Sequence, residues 1–156
     1  DPGIQNLVVA ITLDLFYSQM QAYGHSKIDG QLRQLNKIVL VDEADNFLSK
    51  DFPSLKKILK EGREFGVGTV LSTQLLSHFN TGENEFSNYI LSWVVHRVDD
   101  LSNKDVKRIF NTQSKADEDR LVNTIKSLNK HYSLVKMGDS DRAIFMKDRA
   151  FWELDK

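Results

Sequence analysis

Apolar positions in the first part of the chain recur at helical spacing. Ile4, Leu7, Val8, Ile11 and Leu15 form one stripe, and Val9, Leu13, Phe16 and Met20 form a second. Residues 4–23 therefore predict a helix that is apolar nearly all round and well buried. Residues 24–36 are polar with two glycines and predict a loop. The period then changes. Residues 37–42 are a short continuous apolar run with β-branched members, the pattern of a central parallel strand covered on both faces. Helical spacing returns over residues 51–65. Asp51 or Phe52 precedes the first turn, and Pro53 sits inside it, where a missing N–H costs little. Leu55, Ile58, Leu59, Gly62 and Phe65 line one face, Gly66 and Gly68 stop the helix, and residues 67–73 predict a second buried strand ending at Gln74.

Residues 77–87 predict a polar loop or short helix, and residues 89–98 a third strand. Ser102 with Asp105, and Ser114 with Asp117, each read as a capping box in which Asp replaces the usual Glu. A helix follows each, to about Asn111 and about Lys130. Alternating runs from Tyr132 to Met137 and from Arg142 to Lys147 flank Gly138-Asp-Ser-Asp141 and predict a terminal hairpin. The order α-β-α-β-β-α-α-β-β predicts an α/β fold: a three-layer core with a mostly parallel sheet and an antiparallel C-terminal hairpin.

Composition narrows the field only in places. The 156 residues suit one domain, and 40% hydrophobic with 28% charged is ordinary globular usage. A formal net charge of -1 does not mark the whole chain as a binder of polyanions. The chain has no cysteine, which excludes disulfides, thiolate metal sites and cysteine nucleophiles. No apolar run approaches the roughly 18–20 residues of a membrane span. The chain opens Asp1-Pro2-Gly3, without Met, and is expected to be a piece of something longer.

The stretch KIVLVDEAD, residues 37–45, carries the chemistry. In open α/β sheets ligands sit at the carboxyl ends of strands, and Asp42 and Glu43 lie at such an end. Adjacent acids there are costly unless something cationic faces them. Phosphoryl transfer gives a reason: one Asp holds Mg²⁺, and a neighbouring acid positions the attacking water. The pattern thus reads as a Walker B strand with a catalytic Glu. The plain alternative is a strand that merely exits into a polar loop. About thirty residues on, Ser72-Thr73-Gln74 ends the next strand. There Gln74 would touch a γ-phosphate or its water, or simply cap the strand end.

The passage VDEADNFL followed by LKKILKEGREFGVGTVLSTQ resembles the HerA/FtsK superfamily of P-loop ATPases, ring-forming motors that move DNA. The specific part runs from Lys37 to Gln74; Glu61 to Gly68 and Ser72 to Gln74 match the family's pattern. Within it, the sequence is most similar to the DptH ATPases of bacterial systems that restrict DNA lacking phosphorothioate marks. The resemblance implies the C-terminal half of a RecA-like (ASCE P-loop NTPase) core, with ATP and Mg²⁺ as cofactors. It implies Asp42 as the Mg²⁺ ligand, Glu43 as the residue that polarises water, Gln74 as the γ-phosphate sensor, and Arg63 reaching a nucleotide in cis or from a neighbouring subunit. Double-stranded DNA, other restriction-system subunits and a hexameric ring are the implied partners, with a cytoplasmic location and no membrane. One departure matters: no G-x-x-x-x-G-K-[ST] occurs in the chain, so the phosphate-cradling loop is missing. This piece alone is expected to be inactive. A DEAD-box helicase is disfavoured, because Ser-Thr-Gln stands where Ser-Ala-Thr would follow and too little chain remains for a second RecA-like domain. The competing reading from another class is a nucleotide-dead scaffold or protein-interaction module.

Lesser candidates remain. Lys56, Lys60 and Arg63 make a basic stripe, and Lys104, Lys107 and Arg108 a second basic group; each faces either phosphates or plain solvent. Arg97 reads as a weaker nucleotide contact. His96 reads as a hydrogen-bonded core residue, Trp93 and Phe110 as core, and Trp152 as a tail contact.

Overall fold

The computed structural model describes residues 1–48, 50, 52–81, 84–138, 140 and 142–154. The chain divides into two compact units, Asp1–Thr73 and Gln74–Lys156. Asp51, and Asp139 and Asp141 of the expected hairpin turn, lie outside the described residues. Among the described residues no helix is long and apolar enough to cross a membrane.

The first unit opens with helix α1, Pro2–Tyr23, capped by Asp1, whose carboxylate accepts from the Gly3 N–H at 2.8 Å. Its second apolar stripe faces inward. Met20 is buried with Ile58 and Val67, and Leu13, Phe16, Tyr17, Val39 and Phe65 pack around them. The first stripe does not find cover: Ile4, Leu7, Val8, Ile11 and Leu15 are each at least half exposed. The expectation of a helix buried all round is therefore corrected. Such a helix needs two packing partners on opposite sides, whereas here α1 packs on one side, against α3 (Pro53–Glu61) and the 3-10 turn Gly62–Phe65.

The expected loop 24–36 holds a small antiparallel hairpin, β1 (Ile28–Asp29) with β2 (Leu32–Arg33). Strand β3, Lys37–Val41, leads into a short helix α2, Asp45–Leu48, and then α3. The helix expected over 51–65 is thus divided, its last turn tightening to 3-10 before Gly66. Strand β4, Val67–Leu71, pairs with β3 in parallel register, Val39 opposite Thr69 and Val41 opposite Leu71. The parallel pairing agrees with the sequence expectation, but the cover does not. Val39 faces the core, while Ile38, Leu40 and Val70 face out, 60%, 69% and 49% exposed. Helices cover one face of this strand pair among the described residues, so alternate side chains are left in water.

An open apolar sheet face, an exposed helix stripe and unpaired strand edges together favour association. The isolated chain is expected to self-associate, its sedimentation coefficient rising with concentration. A strictly monomeric profile would contradict this.

Gly66 fixes where β3 and β4 begin. Its φ is 71°, the left-handed conformation that ends the 3-10 turn, and its carbonyl accepts from the N–H groups of Asn36 and Lys37. A Cβ here would lie 2.5 Å from the Gln34 carbonyl oxygen and 2.7 Å from Ser26 Cβ. Gly66→Ala is expected to destabilise the chain by about 1–2 kcal/mol from the backbone conformation alone, and further through the overlap. A urea midpoint unchanged from wild type would refute it.

The second unit carries a three-stranded antiparallel sheet. After a 3-10 turn (Leu76–Phe79), a small hairpin of β5 (Asn80–Thr81) and β6 (Asn84–Glu85) and another 3-10 turn (Phe86–Tyr89) comes β7, Trp93–Val95. Helices α4 (Asn103–Phe110) and α5 (Lys115–Lys126) follow, then β8 (Tyr132–Lys136) and β9 (Ile144–Lys147) in the order β7-β8-β9. The terminal hairpin is as expected. The mostly parallel sheet is not: the described strands make one parallel pair, and the third strand is three residues long and antiparallel to β8. The apolar run 89–98 signalled a buried strand but not its partner, and the turn Phe86–Tyr89 consumes its start.

Both helix caps are present. Ser102 and Asp105 form a full capping box, and Ser114 accepts from the Asp117 N–H. Trp93, Val95, Leu134, Val106, Ile109, Phe110, Val122 and Ile125 are buried. Trp93 meets Phe79 edge-on at 5.1 Å.

Candidate functional site

The acidic turn follows directly from the end of β3. Beyond the last paired residues, Val41 and Leu71, Ser72 N–H donates to the Val41 carbonyl at 2.9 Å, and Ala44 N–H donates to the Ser72 carbonyl at 2.8 Å. Asp42 and Glu43 lie between these two bonds. Ala44 and Leu48 are fully buried and anchor the turn from behind, while both acids stay exposed. Asp45 sits in the first turn of α2.

Both contacts to the Asp42 carboxylate converge on Oδ1. The Ser72 hydroxyl donates to it at 2.5 Å and the Glu43 N–H at 3.0 Å. These two bonds, the hydroxyl first, hold the Asp42 carboxyl below the usual carboxylate range, with slight desolvation opposing them. Among the described residues Oδ2 has no hydrogen-bond partner. Glu43 adopts φ 50°, a left-handed conformation that a non-glycine residue takes only when its surroundings impose it. Its Oε2 lies 3.5 Å from the Asn46 amide nitrogen. An ionised carboxylate with one oxygen tied back and the other open suits a hard divalent cation, and Mg²⁺ commonly takes one or two carboxylates plus phosphate oxygens. Among the described residues no three His, Cys, Asp or Glu side chains gather into a metal cluster.

The other candidates are placed elsewhere. Gln74 is exposed and opens the second unit, whereas the acidic turn belongs to the first. Arg63 is exposed in the 3-10 turn that precedes β4. It therefore lies at the amino end of the parallel pair, one strand length, roughly 16 Å, from the acids at the carboxyl end. The structure does not bring Arg63 together with Asp42 and Glu43.

Lys60 is exposed on α3 and Lys56 half-buried; Lys104 and Lys107 are exposed on α4 with Arg108 half-buried. Arg97 is exposed just after β7. His96 is a correction: it is exposed rather than core, with Nδ1 3.5 Å from Asp148 Oδ2, while Ser133 donates to Asp148 Oδ1 at 2.7 Å. Trp93 and Phe110 are core, and Trp152 is 66% exposed. Ser72 and Asn46 were missed as site residues. In the sequence the Ser-Thr-Gln triplet points to its glutamine, not to Ser72.

No protein-family model and no curated protein matches the chain. Among solved structures it is similar to the genome packaging NTPase B204 from Sulfolobus turreted icosahedral virus 2, solved in complex with ATP-gammaS. The TM-score is 0.52 at 17% sequence identity, over 72% of this chain and 52% of that one. At this identity the likeness shows the fold alone, a mixed α/β fold. The chain spans about half the length of that structure.

Proposed function

We propose that this chain is the Walker B half of a RecA-like, DNA-dependent ATPase of the HerA/FtsK type. The observation that carries the reading is the exposed Asp42-Glu43 turn at the carboxyl end of a parallel strand, in a fold similar to that of a packaging NTPase. Asp42 would hold Mg²⁺, which when bound would supply charge neutralisation at the phosphate oxygens. Glu43 orients and polarises the attacking water. Gln74 follows the sensor strand and reports on the γ-phosphate. Arg63, at the far end of the strand pair, acts across a subunit boundary. A phosphate-cradling segment absent from these 156 residues completes the nucleotide site, so this piece alone is inactive.

The finer reading adds the setting. The run from Glu61 to Gly68, with Ser72 to Gln74, supports the HerA/FtsK type; within it the narrower proposal is a DptH-type ATPase that moves double-stranded DNA or activates the complex of a phosphorothioation-dependent restriction system. It assembles as a hexameric ring with the other subunits of that system in the cytoplasm. The test is ATP turnover by the full-length protein with and without duplex DNA. Turnover that rises severalfold with duplex supports the motor reading. A folded protein that neither binds nor hydrolyses ATP would instead favour a nucleotide-dead scaffold.

A further inference from the structure

We infer that Ser72 is a positioning residue for the acidic turn, its hydroxyl setting which oxygen of Asp42 faces the metal. The inference rests on the ATPase reading above. Ser72 touches the turn at three points. Its N–H bonds the Val41 carbonyl, its own carbonyl receives the Ala44 N–H, and its hydroxyl donates to Asp42 Oδ1. The first two are backbone bonds that any residue except proline would supply in full. The third is what serine adds.

That third bond has two consequences. It fixes the rotation of the Asp42 carboxylate, because Oδ1 is tied to Ser72 and to the Glu43 N–H at once, and Oδ2 is left pointing free. It also couples the two acids. The Glu43 N–H is one of the donors on Oδ1, and the bond from Ala44 to Ser72 closes the other side of Glu43. Glu43 sits at φ 50° between these two ties. A carboxylate free to rotate would relax the tie on which the left-handed turn depends. Hydrogen-bonding partners behind a metal ligand typically govern 10–100-fold of metal affinity.

The experiment measures Mn²⁺ affinity by electron paramagnetic resonance in the full-length protein with ATPγS, for wild type, Ser72→Ala, Ser72→Thr and Asp42→Ala. Expected are about 10–100-fold weaker Mn²⁺ binding in Ser72→Ala, recovery in Ser72→Thr, and an unchanged thermal midpoint in both, since the site is exposed. Wild-type affinity in Ser72→Ala, with affinity lost in Asp42→Ala, would overturn the role of Ser72 alone. A Ser72→Thr protein as weak as Ser72→Ala would overturn it too, because the hydroxyl would not be the agent. Unchanged affinity in Asp42→Ala would overturn the metal site itself and the inference with it.

Discussion

Glu43→Gln in the full-length protein is expected to lower ATP turnover by about 10²–10⁴-fold, the range that a positioned acid or base contributes, while leaving ATP binding intact. The reasoning is local. Glu43 is exposed, so the amide introduces no buried mismatch. Its left-handed backbone is held by bonds from its neighbours and not by its carboxylate. Glutamine keeps the side chain's length and one carbonyl oxygen, and it loses only the negative charge that polarises water. Single-turnover kinetics beside equilibrium nucleotide binding would separate the two effects. A variant that binds ATP and still hydrolyses it at the wild-type rate would remove Glu43 from the chemistry.

Asp42→Asn is expected to act on the metal instead. Asparagine can present its carbonyl oxygen to the Ser72 hydroxyl and the Glu43 N–H, so the turn keeps its shape. What changes is the charge on the open side. The Mg²⁺ concentration for half-maximal turnover should rise by at least about 10–100-fold, the range that even the partners behind a metal ligand command. Stability should change by less than about 0.5 kcal/mol, as for ordinary surface substitutions. A Mg²⁺ titration that superimposes on wild type would place the metal elsewhere.

The acidic turn was legible in the sequence because it depends on neighbours in the chain: an apolar strand ending abruptly in two acids. The parallel strand pair and both serine caps were legible for the same reason. Ser72 was not, because its bond to Asp42 exists only through the register that sets Val41 beside Leu71, thirty residues apart in the chain. The exposure of α1 and of Ile38 and Leu40 was also hidden. Periodicity tells which side chains need cover, but not whether the chain supplies it. The run around Trp93 announced a strand, while its antiparallel partner was set by β8, some forty residues on. The separation of Arg63 from the acids could have been read. A helix that connects two parallel strands returns the chain to their amino end, which puts the residues ahead of β4 away from the carboxyl-end site.

The measurement that tests the central claim most directly is ATP hydrolysis by the full-length protein in Mg²⁺, with wild type, Asp42→Asn and Glu43→Gln compared in the same preparation. The account predicts turnover in the wild type, its collapse in Glu43→Gln with ATP still bound, and its recovery in Asp42→Asn only at raised Mg²⁺. Hydrolysis at the wild-type rate and the wild-type Mg²⁺ requirement in both variants would contradict the claim that this turn is the catalytic end of the fold.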